Sequence, residues 1–292
     1  MNSIRIAYLI LAHKNPSAIN ELITALKYPG VDFYIHLDKK SDIIDEINVD
    51  DNIFFTSNRI DVKWGGISQV ESMLSLMNYV KEMNKQYDYV WFISGQDFPI
   101  KSNEYIQEFF RQNYGYNFME IIPKDDERYL RYLKRNQTWY PVWGASPKFI
   151  IRVLRKIYNY LTGGLKHSFI KRKNILDAEW FFGSNWFALT YDAMLYVLEQ
   201  VASKPYLKYF KNCICPDESF FQTIIGNSEY IHKTRDYLTY VDWSEGKKNP
   251  KVLGGGEDYE KLKSSDKLMA RKFERVDDCI KKLSESKKGD QI

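Results

Sequence analysis

The chain has 292 residues, 44% hydrophobic, 27% charged and 16% aromatic, a balance that excludes disordered, collagen-like and disulfide-scaffold classes. Its 42 Lys and Arg against 38 Asp and Glu leave a formal charge of +4, too small a surplus to indicate nucleic acid without a concentrated patch. Three cysteines with no C-x-x-C pair exclude a disulfide framework and a thiolate zinc site and fit a reducing compartment.

Residues 4–11, IRIAYLIL, form a continuous β-prone run. Arg5 interrupts its start and no small-residue cleavage site follows, so the run reads as a buried strand rather than a signal peptide. The polar turn His13-Lys14-Asn15-Pro16 comes next, then helical periodicity over residues 18–26. FYIHL (33–37) repeats the strand signal and ends in Asp38-Lys39-Lys40, and IFFT (53–56) is a third short apolar run. Residues 67–83 are apolar at helical spacing, and YDYVWFI (87–93) is a fourth strand that breaks into Ser94-Gly95-Gln96-Asp97-Phe98-Pro99. The alternation predicts an α/β fold, a Rossmann-type, mostly parallel central sheet with flanking helices, in one large domain over residues 1–285 with a flexible tail at 286–292. In such sheets the carboxyl ends of the strands line the ligand crevice, which singles out His13, Asp38, Lys39, Arg59 and Asp97.

The second half holds a basic amphipathic segment over 148–173, a strand-like FFGSNWFALT and a helix over 191–200. In the basic segment Ile150, Leu154, Ile157 and Leu161 share one helical face, and Arg152, Arg155 and Lys156 lie clear of it. That pattern suits either peripheral contact with anionic lipid or a core helix with a charged back. No apolar run reaches the roughly 20 residues needed to span a bilayer.

Two polar groups sit between aromatics: Gly183-Ser184-Asn185-Trp186-Phe187 and Pro216-Asp217-Glu218-Ser219-Phe220-Phe221. Aromatic walls around a few directional polar groups suit a sugar ring, although plain core packing produces the same strings. A general base that takes a proton from a hydroxyl near neutral pH is best supplied by a partly desolvated carboxylate. Asp97, Asp177, Glu179, Asp217 and Glu218 are all candidates. There is no G-x-S-x-G elbow, P-loop or G-x-G-x-x-G, and His13, His36, His167 and His232 lack metal-ligand spacing. Gly254-Gly255-Gly256 reads as a flexible turn. Around it lie Lys251, Lys261, Lys263, Lys267, Arg271 and Lys272, cations of the kind that can neutralise a departing diphosphate. Only one carboxylate follows the strand YVWFIS, where a metal-using D-x-D would stand, which favours cations in the metal's place.

Taken in order, IAYLILAHKNP, YIHLDKKS, WGGISQVES, WFISGQDFPIKSN, FFGSNWFALT, PDESFFQT, YVDW and LMARKFE resemble the core-2/I-branching β-1,6-N-acetylglucosaminyltransferase family, which includes the peptide O-xylosyltransferases. The resemblance implies a GT-A-like, inverting transferase that needs no metal or other cofactor and moves a sugar from a UDP-sugar to a glycan or lipid-linked glycan hydroxyl. By it, Glu218 of P-D-E is the catalytic base, Lys251 and Lys272 hold the donor diphosphate, and Asp38 and Asp97 lie at the nucleotide end. His13 and Arg59, at strand ends, join these as UDP-sugar-binding candidates. Trp243 shapes the sugar pocket, and Asn185 and Trp186, with Asp217, line the acceptor side. The xylosyltransferase branch carries an Asp after its Gly-Ser where this chain has Asn185, which speaks against a xylosyl reading with that Asp as base. No cysteines match the disulfides of animal Golgi members, and no anchor or stem precedes the domain. A bacterial-type cytoplasmic enzyme, at the inner face of the membrane, is the resulting expectation. The alternatives are another UDP-hexose or UDP-xylose transferase and a glycan-binding protein without turnover.

Overall fold

The computed structural model describes residues 3–140, 149–162, 172–247 and 249–289. Strand β1 (Ile6–Ala12) is followed by helix α1 (Pro16–Leu26), β2 (Val31–Leu37), β3 (Ile53–Phe55), α2 (Ser68–Glu82) and β4 (Tyr89–Ser94). β1 lies between β2 and β4, parallel to both, with Ile6 opposite Val31 on one side and Tyr89 on the other. A strand covered on both faces is apolar at every position rather than at alternate ones, which is why IAYLILA has no polar residue.

The large sheet has seven strands in the order β3-β2-β1-β4-β7-β6-β8, where β6 is Asn117–Phe118, β7 Ala188–Thr190 and β8 Thr234–Arg235. β7 runs antiparallel to β4, so the sheet is parallel through its first four strands and mixed beyond them. Alternation along β1 divides the core. Ile6, Tyr8 and Ile10 pack with Leu22 and Leu26 of α1, whereas Ala7 and Leu9 pack with Val70, Met73 and Met77 of α2. The face under α2 is also covered by α6 (Tyr191–Ser203), α7 (Tyr206–Phe210) and α8 (Phe220–Gly226), numbered after α3 (Asn103–Gln112), α4 (Glu127–Gln137) and α5 (Phe149–Thr162).

A second sheet of three strands, absent from the sequence expectation, joins β5 (Asp97–Pro99), β10 (Met269–Arg271) and β9 (Thr239–Val241). β5 occupies the stretch read from sequence as a break, because Phe98 pairs with Ala270 across 172 residues of chain, a partner no local pattern reveals. Four further differences are local. α1 starts at Pro16 rather than Ala18, since proline at the first helical position lacks only an N–H that would be unpaired anyway. Of FFGSNWFALT only Ala188–Thr190 is a strand. Gly254-Gly255-Gly256 is not a free turn: Gly254 caps α9 (Gly255–Lys263). α10 (Asp278–Gly289) continues through residues 286–289, so that part of the expected tail is helical, and residues 290–292 lie outside the described residues. Among the described residues no helix is long and apolar enough to cross a membrane.

Ile10 is fully buried where β1 meets α1, and its truncation leaves a cavity that the neighbouring strands cannot close. Ile10→Ala should lower stability by about 2–5 kcal/mol. In urea titration the midpoint should fall at unchanged slope; an unmoved midpoint would contradict the packing described.

Candidate active site

The turn Pro216–Glu218 is a single 3-10 turn between α7 and α8, entered through Cys215 in the left-handed region (φ 49°). It presents two adjacent carboxylates to different partners. Glu218 forms an ion pair with Arg135 near the carboxyl end of α4, and Asp217 Oδ2 accepts a 2.9 Å hydrogen bond from Asn185 Nδ2. Burial raises both acids above the ordinary carboxylate range. Asp217 is pushed up to about 7, with the neighbouring Glu218 charge adding to burial; Glu218 is also raised by burial, against the opposing pull of Arg135. One carboxylate is thus charge-compensated and the other is inclined to hold its proton.

The backbone around them approaches closely. Gly183 N–H donates to Glu218 O (3.0 Å), Ser184 N–H donates to Glu120 Oε2 (2.9 Å), and Arg128 pairs with Glu120 at 3.0 Å. A Cβ on Gly183 would lie 1.9 Å from Glu120 O, so only glycine permits this contact. Asn185 and Trp186 follow directly, and the Arg271 guanidinium lies 4.2 Å from the centre of the Trp186 ring. Arg271 Nε is 3.6 Å from Asp97 Oδ1, and Asp97 also accepts from Ser94 N–H (2.7 Å) and Ser94 Oγ (2.9 Å). Among the described residues, Arg271 Nε and Nη1 are buried without a hydrogen-bond partner.

Beyond Arg271 the chain enters the cation group. Lys272 Nζ pairs with Glu274 at 3.1 Å, and Lys14 Nζ reaches the same carboxylate, which these two lysines hold down at about 2. Lys272 O accepts from Leu253 N–H (2.8 Å), which brings the 251–256 loop alongside. There Lys251 Nζ pairs with Asp258 at 2.6 Å, and Asp258 also receives the Gly254 N–H at 2.9 Å. Lys251, the Gly254–256 start of α9, Asp258, Glu274 and Arg275 line a cleft of about 450 Å³. His13, at the end of β1, is held below the ordinary histidine pKa by desolvation and by Lys14 and Lys272, against Asp38 and Glu274.

The expected residues therefore fall into one continuous chain of contacts: Glu218, Asp217, Asn185, Trp186, Arg271 and Lys272, with Lys251 and His13 adjoining. Two others lie differently. Arg59 spends its guanidinium on backbone carbonyls of Leu37, Asp38 and Ser41, shaping the loop after β2, and Asp97 is turned inward onto Ser94 and Arg271. Asp38 caps the same loop, accepting from Lys40 N–H at 3.0 Å and pairing with Lys40 Nζ at 3.1 Å. Trp243 stands 56% exposed just past β9. Of the other proposed bases, Glu179 is paired with Lys124, and Asp177 occupies a left-handed turn (φ 47°). Arg135 and Glu120 escape sequence reading because neither sits in a motif; the only sign of Arg135 is that α4 carries a basic face in its last turn. Among the described residues no group of three or more His, Cys, Asp or Glu is arranged to hold a metal ion.

The sequence model for "Branch: Core-2/I-Branching enzyme" matches residues 6–263. Similar curated proteins include "Xylosyltransferase oxt" of Drosophila pseudoobscura pseudoobscura, 25% identical over 253 residues covering 82% of this chain and 25% of that protein. Another is "Beta-1,3-galactosyl-O-glycosyl-glycoprotein beta-1,6-N-acetylglucosaminyltransferase 4" of Danio rerio, 26% identical over 226 residues, 75% of this chain and 49% of that one. The chain thus spans about a quarter to a half of the length of these curated relatives. Among solved structures, mouse xyloside xylosyltransferase 1 aligns over 91% of this chain and 97% of its own at 9% identity and a TM-score of 0.38.

The raised acid has a measurable consequence. The folded state holds the Asp217 proton more tightly than the unfolded chain does, so stability is lost as pH rises from about 4 to 7. Asp217→Asn keeps an oxygen for Asn185 and removes the titration. Its stability relative to the parent protein should therefore grow between pH 4 and pH 8 in urea titrations. The same comparison in a Glu218→Gln background assigns the titration within the pair; a pH-independent difference in both would mean that Asp217 is not raised.

Proposed function

The chain belongs to the Core-2/I-Branching enzyme family, and on that premise we propose that it is an inverting, metal-independent glycosyltransferase that moves GlcNAc in β-1,6 linkage from UDP-GlcNAc to a glycan hydroxyl. The observation that carries this reading is the ion pair of half-buried Glu218 with Arg135, linked through Asp217, Asn185, Trp186 and Arg271 to Lys272. Desolvation raises the Glu218 pKa and so makes its carboxylate more basic. The Arg135 guanidinium opposes that rise and favours the anion that a base must present.

In the proposed reaction the acceptor hydroxyl proton passes to Glu218, and the oxygen bonds to the anomeric carbon from the face opposite the leaving group. The bond from that carbon to the diphosphate oxygen breaks and UDP departs. Lys251 and Lys272 take up the charge that develops on UDP, each exchanging a carboxylate partner, Asp258 or Glu274, for phosphate oxygens. The unpartnered donors of Arg271 supply a third cation beside Trp186. Trp186 and the exposed Trp243 offer faces on which sugar rings can stack. A UDP-xylose donor is the second reading, favoured by the xylosyltransferase among the relatives, and donor turnover separates the two.

Glu218→Gln should reduce turnover by ~10²–10⁴-fold, the usual worth of a positioned base, with UDP affinity in calorimetry nearly unchanged. Retention of more than roughly a third of the activity would remove Glu218 from the base role. Lys251→Ala and Lys272→Ala should each weaken UDP binding, and turnover of UDP-GlcNAc should survive EDTA; abolition by EDTA would sink the metal-free mechanism. Arg135→Met should move the acidic limb of the kcat/KM profile to higher pH, since the Glu218 carboxylate loses the charge that holds its pKa down. An unmoved limb would mean that this pair does not set the base's protonation.

A further inference from the structure

We propose that α5 docks this protein on an anionic membrane surface, its apolar face in the headgroup region and its cations against lipid phosphate. Among the described residues no other helix exposes so many large apolar side chains. At 100° per residue, Phe149, Ile150, Val153, Leu154, Ile157, Tyr160 and Leu161 fall within one arc of about 140°. All are exposed, from 39% for Val153 to 87% for Tyr160. Its attachment runs through a different side: Tyr158 O–H donates to Trp139 O at 3.1 Å and its ring lies 5.9 Å from that of Trp139, with Ile151 half-buried beside it on the wheel. The core-helix alternative is thereby excluded, since the apolar arc faces away from the core.

Charge identifies the occupant. Exposed Arg152 and Lys156 border the apolar arc. Residues 128–176 contain twelve Lys and Arg and no Asp or Glu, while the rest of the chain has thirty cations and thirty-eight carboxylates. A second copy of the chain is a poor cover, because a two-fold contact would set this carboxylate-free stretch against itself. Nucleic acid has no use for seven exposed apolar side chains. An interfacial amphipathic helix with cations at the rim of a wide apolar face is what anionic lipid binds. Fourteen residues of helix cannot span a bilayer, so the contact is in plane.

The placement also bears on the acceptor. Trp139, which holds α5, follows Arg135 by four residues, and Arg135 holds Glu218. α5 is thus joined to the helix that holds the base, and a glycan carried on a lipid is the acceptor that docking through α5 would favour. That second step rests on the transferase reading above; docking itself does not.

The test is flotation of the purified chain with vesicles of phosphatidylcholine alone and of phosphatidylcholine with about 30% phosphatidylglycerol. Binding should require the anionic lipid and weaken with salt. Ile150→Ser/Leu154→Ser/Ile157→Ser, and separately Arg152→Glu/Lys156→Glu, should each reduce partitioning by about tenfold or more, with far-UV spectra and UDP affinity unchanged. The docking surface is overturned by failure of the parent protein to float with anionic vesicles, or by equal flotation of both variants. A concentration-dependent dimer that the serine variant abolishes, without flotation, would assign the face to a second copy instead. UDP release in the same samples separates the readings: flotation without turnover of any donor leaves docking standing and removes the transferase.

Discussion

Arg271 lies where the two sheets, the aromatic wall and the cation group converge. Its guanidinium is buried between the Asp97 carboxylate, 3.6 Å away, and the Trp186 ring. Taking such a charge out of water is costly unless it is compensated, and an indole face with one carboxylate is partial compensation. Desolvation lowers the Arg271 pKa and raises that of Asp97, each resisted by the charge of the other. Neither residue can be removed without stranding the other in a dry environment. β5 and β10 are short, three residues each, and the ion pair lies at their last paired position, Arg271 opposite Asp97. The register of the small sheet, and with it the position of Lys272, thus depends on an electrostatic contact more than on strand length.

The opposite end of the site uses the same physics differently. Asp217 and Glu218 are neighbours in one turn and cannot both be charged cheaply in a low-dielectric pocket. The protein assigns them unequal partners: a neutral amide for Asp217 and a guanidinium for Glu218. A neutral donor lets Asp217 keep a proton, while a cation draws Glu218 toward its anion. Two like residues side by side thereby acquire distinct chemical roles from their surroundings, not from their own side chains.

What could be read in advance and what could not follows from the range of each interaction. The four parallel strands and the helices between them were legible because a strand covered on both faces is continuously apolar and a helix packed on a sheet repeats every three to four residues. β5 was read as a break because Asp97-Phe98-Pro99 resembles a turn in every local respect, and only its pairing with Met269–Arg271 makes it a strand. Glu218, Asn185, Trp186 and Lys272, each singled out by a motif string, are linked in the fold through Asp217 and Arg271. Arg135 and Glu120 were invisible, since a charged residue on a helix or loop carries no local mark of the partner it will meet 83 or 64 residues away. Arg59 lies four residues past β3 and its donors turn to backbone carbonyls, and nothing local distinguishes a guanidinium that shapes a loop from one that awaits a ligand.

Both lysines assigned to the diphosphate are engaged before any ligand arrives, Lys251 with Asp258 and Lys272 with Glu274. That pre-pairing sets how a polyanion can bind. A free lysine would bind phosphate by simple charge attraction, steeply dependent on salt; a paired lysine must trade one anion for another, and the gain is the difference between two contacts. Glu274 is shared by Lys14 and Lys272 and stays ionised far below neutrality, so it competes at every physiological pH. A single phosphate offers little over a carboxylate in such an exchange. In the proposed reaction a diphosphate that engaged Lys251 and Lys272 together would replace both partners at once, the second contact being made without a second association cost. In the proposed reaction that would favour a nucleoside diphosphate over a monophosphate and would also assist release: when either lysine lets go, its own carboxylate is beside it to take its place.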